Sequence, residues 1–366
     1  IMNGDIGRFG DMAVFRQWLK IDAAAVLFPI PVAGRLQTAS TADFRTGFRY
    51  FFRMIERIRL SVCLSGIAAR MVLLHHPSMV NPLSMPFKLN FSPGKPFALS
   101  NHALIRIHGV DAGAFLQAQC MNDVKQLGDG DWQYNGWLNP QGRVMALFYL
   151  VRVSIDDFCM IVPELPAEPL LASLERFKFR SKVNLSVDSS RRPSGTMLPA
   201  NSGQPAFAAG ADTREAMTLK ISGRLADRIL SIAPTAAAED PEAMDQWHCL
   251  DMAAGWIWLS GSLQNRWTPQ MLSLDRLHAF SLKKGCYPGQ EIVARTHYLG
   301  KSKRQLQSVQ GIGLQTDQSL SAGGQEFGVV VNSNATGSFA VAVVPADAPP
   351  KPWSSASGTA VSPVTD

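Results

Sequence analysis

The densest collection of reactive and charged groups in the chain is Lys283-Lys284-Gly285-Cys286-Tyr287-Pro288-Gly289-Gln290-Glu291, with Arg295 close behind. One thiol lies between two glycines and near three cations. The thiolate is the nucleophilic and metal-binding form of cysteine, and nearby positive charge favours it. Cys286 therefore reads as a thiol of lowered pKa, reactive if exposed. The glycines permit backbone torsions that a β-carbon forbids and let another molecule approach the main chain. Pro288 stiffens the loop. Free cysteine is also among the most buried residue types, so a plain packing role for Cys286 stays open at this level.

Such a loop needs rigid elements around it. Gln290 to Arg295 are expected to begin a helix whose N–H groups face the loop. Upstream, Asp240-Pro241-Glu242 is a well-formed helix start, with Asp240 as N-cap and Pro241 in the first turn. Met244, Trp247, Leu250 and Ala254 share a face of that helix, and Gly255 ends it. Earlier, His102–His108 reads as a strand, Asp111 as the cap of a helix carrying Phe115, Leu116 and Cys120, and Gln133–Leu138 as a strand. Asn139-Pro140-Gln141-Gly142 is a strong turn signal before the apolar run Val144–Val153. Phe158–Val162 follows as its partner strand, and Pro169–Phe177 as a helix. Residues 188–213 lack periodicity and read as a long loop or lobe connection. After Gly300 the pattern turns to strands, at Leu306–Leu314, Glu326–Val331 and Phe339–Val344.

Composition narrows the class. The chain has 366 residues, 46% hydrophobic and 17% charged, an ordinary globular balance. Residues 1–92 hold 11 Lys/Arg against 5 Asp/Glu, whereas 93–366 hold 24 of each, so the net charge of +6 belongs to the N-terminal quarter. The body has no excess basicity to argue for nucleic acid. Residues 60–74 are apolar but short and interrupted by Arg70, which excludes a span of roughly 20 apolar residues. The Arg-rich 1–92 segment reads as a targeting sequence, as a basic amphipathic helix, or as sequence ahead of a true start at Met79 or Met85, and is expected to pack little. The five cysteines are scattered, with no CxxC pair. No metal site is expected, and free thiols fit a reducing, cytoplasmic setting.

The run Lys284-Gly-Cys-Tyr-Pro-Gly-Gln-Glu291 resembles the signature of the YgfZ-type folate-binding proteins, relatives of the glycine-cleavage T-protein (aminomethyltransferase). Further stretches are similar to that family: His108-Gly-Val-Asp111 with Phe115–Gln119 and Asn122-Asp-Val124; Leu138–Arg143; Gln246-Trp247 through Gly255; and Trp267-Thr-Pro-Gln270 with Leu274-Asp275. The resemblance covers roughly 97–345. It implies an α+β fold: two antiparallel-sheet lobes and a small C-terminal β-barrel-like domain in a T-protein-like ring around a folate channel. The expected boundaries are 1–92 for a poorly packed extension, 93–187 for the first lobe, 188–300 for the second, 301–346 for the β domain and 347–366 for a disordered tail.

By the same resemblance, the ligand is tetrahydrofolate or a derivative, with Trp247, His102, Lys284 and Tyr287 at its site. Lys284, Gly285, Cys286, Tyr287, Gly289, Gln290 and Glu291 form the signature loop. His102 stands where a relative carries another aromatic. The implied role is an accessory protein that supports iron–sulfur enzymes, including those that thiolate tRNA, with Cys286 as its functional thiol: a transient ligand, or a carrier of a one-carbon or sulfur group. A monomer is expected. The alternative is a folate-dependent aminomethyl or methyl transferase. Against that alternative, Gly142–Leu147 carries no carboxylate where the T-protein places its acid; Asp123 and Glu291 are the remaining acids considered for the channel. A tRNA-binding cluster of Lys301, Lys303 and Arg304 beside Tyr298 reads more simply as solvated surface.

Overall fold

The computed structural model describes residues 85–200 and 216–364. The proposed extension therefore lies outside the described residues up to position 84. Its last few residues do pack: Met85, Phe87, Leu89 and Phe91 sit half-buried against the core, and the Gln246 side chain exchanges two hydrogen bonds with the Asn90 backbone (2.8 and 2.9 Å). The boundary at 92 is thus too late.

The first lobe follows a short strand, β1 (Pro96–Ala98), that belongs to the other sheet. It contains β2 (His102–His108), α1 (Ala112–Gln119), β3 (Trp132–Leu138), β4 (Val144–Ser154), β5 (Asp157–Pro163), α2 (Ala167–Glu175) and β6 (Asn184–Val187). The strands form one antiparallel sheet in the order β3-β4-β5-β2-β6. The uninterrupted apolar run of β4 has a simple cause. Side chains alternate across a strand, and here both faces are covered. Leu147, Tyr149 and Val151 enter one core, while Ala146, Phe148 and Leu150 enter a second core with Phe115, Leu116, Leu170 and Leu174 of the helices.

In the second lobe β7 (Arg192–Pro199), β8 (Met217–Ile221) and β9 (Ala226–Ala233) join β1 in the order β1-β7-β9-β8, all antiparallel. The reading of 188–213 as a loop fails over 192–199. The alternation there is weakened by Pro193 and Gly195, yet Pro193, Gly195 and Met197 point inward. Gly195 must be small, because a β-carbon would come within 2.7 Å of the Phe97 ring and 3.0 Å of Trp247. Helix α3 (Pro241–Ala254) starts as expected, with Asp240 Oδ1 accepting from the Ala243 N–H at 3.1 Å. It ends at Gly255, in the left-handed conformation at φ +76°. Helix α4 (Gln290–Leu299) follows the signature loop.

The C-terminal part is a closed barrel of β10 (Arg304–Gln310), β11 (Ser319–Ala322), β12 (Gln325–Ser333), β13 (Phe339–Pro345), β14 (Trp353–Ser355) and β15 (Ala360–Pro363), in the order β10-β13-β12-β11-β14-β15. The expectation of a disordered tail beyond 346 is wrong. Trp353 is buried with its Nε1 donating to the Pro349 carbonyl at 2.8 Å, and β14 and β15 close the barrel between β11 and β10. A Pro/Ser/Ala-rich composition hid two three- and four-residue strands whose edges are satisfied by neighbours far away in sequence. Strand β13 is shared like β4: Ala340, Ala342 and Val344 fill the barrel, and Phe339, Val341 and Val343 face the central core.

No helix among the described residues is long and apolar enough to cross a membrane.

Candidate functional site

The signature loop is built as a bridge between the lobes. Lys284 is buried, and its Nζ donates to the Cys120 carbonyl (2.5 Å) and the Asn122 carbonyl (3.0 Å) at the end of α1. The ammonium also lies 5.0 Å from the centre of the Tyr287 ring. Burial lowers its pKa to about 8. Its charge is thus spent on clamping the loop to the first lobe. Tyr287 is buried too, and burial pushes its phenol well above its ordinary value. The Gln290 side chain closes the loop from within, Nε2 donating to the Lys284 carbonyl at 3.3 Å. The Gln290 N–H donates to the Tyr287 carbonyl at 3.2 Å, so this helix N–H is satisfied by the loop itself. Glu291 is exposed in the first turn of α4.

Cys286 stands out of this bridge into solvent. Cys120, Cys159 and Cys249 are buried, and burial raises each thiol to about 12. Of the two flanking glycines only Gly289 needs to be glycine. It sits at φ +75° with its α-carbon against the Asn139-Pro140-Gln141-Gly142 turn, whereas a β-carbon on Gly285 would meet nothing within 4 Å.

The other expected ligand residues lie elsewhere. Trp247 is fully buried (0% exposed), flanked by Phe97 edge-on at 5.9 Å and by the Arg228 guanidinium 4.8 Å from its ring centre. It is a core anchor and offers no face to a ligand. His102 is 6% exposed; its Nδ1 is 2.7 Å from Asn101 Oδ1, and burial, with help from His248 and Arg228, lowers it to about 3. It lines a groove of about 510 Å³ with Arg191, Arg192 and Glu239, distinct from the loop. Asp123 caps the turn Val124–Gln126 and accepts from Gln117 at 2.9 Å and Gln126 at 3.0 Å. Among the described residues, no group of three His, Cys, Asp or Glu is placed to hold a metal ion.

What brings the three parts together is a cavity of about 410 Å³. The first lobe contributes Glu164, α3 contributes His248, Asp251 and Met252, the following segment contributes Trp256, Trp258, Ser260 and Ser262, and the barrel contributes Thr316, Asn332 and Ser333. Behind it lies an aromatic cluster. Tyr134 and Tyr149, cross-strand partners on β3 and β4, pack on Trp256 (5.4 and 5.5 Å) and Trp258 (5.2 and 4.8 Å). Asp251 is buried on the cavity wall. Its Oδ1 is paired with Arg228 and its Oδ2 accepts from Trp258 Nε1 at 2.9 Å. Two accepted bonds leave lone pairs over, since a carboxylate offers about four. Asn332 links barrel to lobe by exchanging bonds with the Trp258 backbone (3.1 and 2.9 Å). Glu164 sits at φ +63°, unusual for a side-chain-bearing residue, with Oε1 3.7 Å from His248 Nε2 and accepting from Asn101 at 2.6 Å. Strained backbone of this kind gathers at working sites.

Sequence reasoning missed these residues. The signal available was Gly255-Trp256-Ile257-Trp258, two indoles on one face of an extended segment directly after a helix stop. Trp247, about two and a half turns earlier on the amphipathic helix α3, carries the stronger periodic signal but is turned into the core.

Residues 96–192 match the GCVT N-terminal domain family. A protein of Haemophilus influenzae described as uncharacterized is 28% identical over 244 residues, covering 64% of this chain and 83% of its own length. The tRNA-modifying protein YgfZ of Escherichia coli O157:H7 is 29% identical over 231 residues, covering 57% of this chain and 69% of its own. Among solved structures, the glycine cleavage system aminomethyltransferase T of Bartonella henselae superposes with a TM-score of 0.55 at 16% identity, covering 74% of this chain and 85% of its own, a likeness of fold.

Proposed function

We propose that this chain, which is similar to the YgfZ-type proteins and shares the T-protein fold, binds tetrahydrofolate or a derivative in the cavity between its three parts. We propose further that it acts as an accessory protein for iron–sulfur enzymes of tRNA modification.

The observation that carries this reading is the cavity lining. A volume of about 410 Å³ falls in the range of small-molecule sites. Trp256 and Trp258, 8% and 3% exposed, form the cavity's aromatic wall. A pterin edge carries N–H donors that need acceptors; Asp251 has accepting capacity left, and the Asn332 amide and the Ser260, Ser262 and Ser333 hydroxyls add partners. The group, when bound, would bring one-carbon chemistry. The chain's own residues bind and orient it.

Cys286 does not line that cavity and is open to solvent. A thiol held there by a rigid bridge is suited to a partner protein, which favours the accessory role over a reaction on the folate. The transferase reading draws on Glu164, the exposed carboxylate at the cavity beside His248. Turnover of a tetrahydrofolate adduct by the purified protein would favour that reading.

The test of the accessory role is complementation of a strain lacking its own YgfZ relative, with activity of an iron–sulfur tRNA-thiolating enzyme as readout. Wild type is expected to restore activity and a folded Cys286→Ala variant to fail. Full rescue by Cys286→Ala overturns the thiol's role.

A further inference from the structure

We propose that the connection between α2 and β6, Arg176–Lys182, is a platform for single-stranded RNA, with the Phe179 ring stacking a base and the flanking cations holding phosphates. The proposal rests on the reading of this protein as a component of tRNA modification, and names a surface for that role.

The segment reads Arg-Phe-Lys-Phe-Arg-Ser-Lys: four cations, two aromatics and no acid in seven residues. None of the four cationic side chains forms an ion pair among the described residues. Phe179 is 87% exposed, more than any other large hydrophobic side chain among the described residues. Its backbone lies at φ +44°, a left-handed conformation that costs a β-carbon-bearing residue free energy.

The loop is nevertheless firmly held. On one side the Phe177 ring packs edge-on against Trp137 at 5.7 Å. In the middle the Ser181 N–H donates to the Lys178 carbonyl at 2.9 Å. On the far side the Lys182 N–H donates to Asp111 Oδ2 at 2.6 Å, and the Lys182 carbonyl lies so close to Gly109 that a β-carbon there would meet it at 2.3 Å. One phenylalanine anchors the loop and the other is displayed. An ordinary solvated charge run requires neither an exposed ring nor a strained turn to carry it. A ring with cations on both sides matches the alternation of base and phosphate, and base stacking on an aromatic tolerates any sequence.

The surface is also connected to the thiol loop. Trp137, on which Phe177 packs, bridges to Cys120, and the Cys120 carbonyl receives Lys284. An RNA seated on Phe179 would thus lie on the lobe to which the Cys286 loop is clamped.

The experiment is fluorescence anisotropy of the full chain with labelled unfractionated tRNA and with a 12-nucleotide oligouridine, between 50 and 200 mM KCl. Phe179→Asn removes the ring and suits the left-handed backbone. It is expected to weaken binding of both RNAs about tenfold with the salt slope unchanged. Lys178→Ala with Arg180→Ala is expected to flatten the slope by one to two phosphate contacts. Tetrahydrofolate quenching of tryptophan fluorescence should be the same in Phe179→Asn as in wild type. Unchanged RNA affinity in Phe179→Asn overturns the proposal. So does Phe179-dependent retention on vesicles of phosphatidylcholine and phosphatidylserine (3:1) without RNA binding, which would make the loop a lipid contact. If RNA binds through Phe179 but wild type shows no folate quenching, the platform stands and the cavity assignment fails instead.

Discussion

Gly289 of the signature loop and Gly142 of the β3–β4 turn touch backbone to backbone: a β-carbon on Gly289 would lie 2.5 Å from the Gly142 α-carbon and 2.5 Å from the Asn139 carbonyl oxygen. A β-carbon on Gly142 would in turn meet Ile292 of α4 at 2.9 Å and the Gly289 carbonyl at 3.1 Å. Two stretches that are separate in sequence, Leu138–Arg143 and Lys284–Glu291, are therefore halves of one joint. Lys284 closes the other end of the joint on Cys120 and Asn122. The position of Cys286 is set by the first lobe as much as by its own loop.

The joint predicts an asymmetry between the two glycines around the thiol. Gly289→Ala meets both a positive φ and a backbone collision. It should destabilise the protein by roughly 2–4 kcal/mol, combining about 1–2 for the left-handed conformation with the strain of separating the turn. Gly285→Ala enters open space and should stay within about 0.5 kcal/mol. Urea unfolding of the two variants measures the difference. Equal costs would mean that the joint is not rigid.

Thiol accessibility predicts a sharply selective alkylation. In native protein at pH 7.5, peptide mapping after brief maleimide treatment should find label on Cys286 and none on Cys120, Cys159 or Cys249, whose thiols are buried and raised to about 12. Unfolding in guanidinium should make all four reactive. Native labelling of Cys120 at the rate of Cys286 would show that the clamp opens readily.

His102 predicts an acid-sensitive stability. Burial holds the imidazole at about 3 in the folded protein, against about 6.5 unfolded. Between those values the unfolded chain binds a proton that the native chain does not, so stability falls as pH drops through this window, by up to about 1.4 kcal/mol per unit from this group. Above 6.5 the effect vanishes. Urea midpoints of wild type and His102→Phe between pH 6.5 and 4.5 should diverge in slope by close to one proton. Parallel slopes would place His102 in water.

The broad architecture was readable because strong local rules and tertiary structure agree. Asp240-Pro241 and Gly255 bracket α3 where capping chemistry puts them, and the apolar run of β4 marks a strand covered on both faces. Legibility failed where long-range partners decide. β7 carries Pro193 and Gly195, and Gly195 is there for the rings of Phe97 and Trp247 rather than for a turn. Trp353 and Val361 form barrel strands only because β11 and β10 leave edges to pair. At the site, residue types alone identified Cys286 as worth attention. They could not show that Lys284 turns inward to two carbonyls, or that Trp247 stands behind Arg228 while Trp256 and Trp258 reach the cavity. Helical spacing specifies a face, not which neighbour covers it.

The cavity is most directly tested by titrating tetrahydrofolate into wild type and Ser262→Trp while following intrinsic tryptophan fluorescence. Ser262 is exposed at the cavity's edge, so an indole there fills space without disturbing the core. Wild type should show saturable quenching, and Ser262→Trp should lose affinity at least tenfold with its urea midpoint unchanged. No saturable response in wild type, or undiminished affinity in the filled variant, would contradict folate binding between the lobes and the barrel.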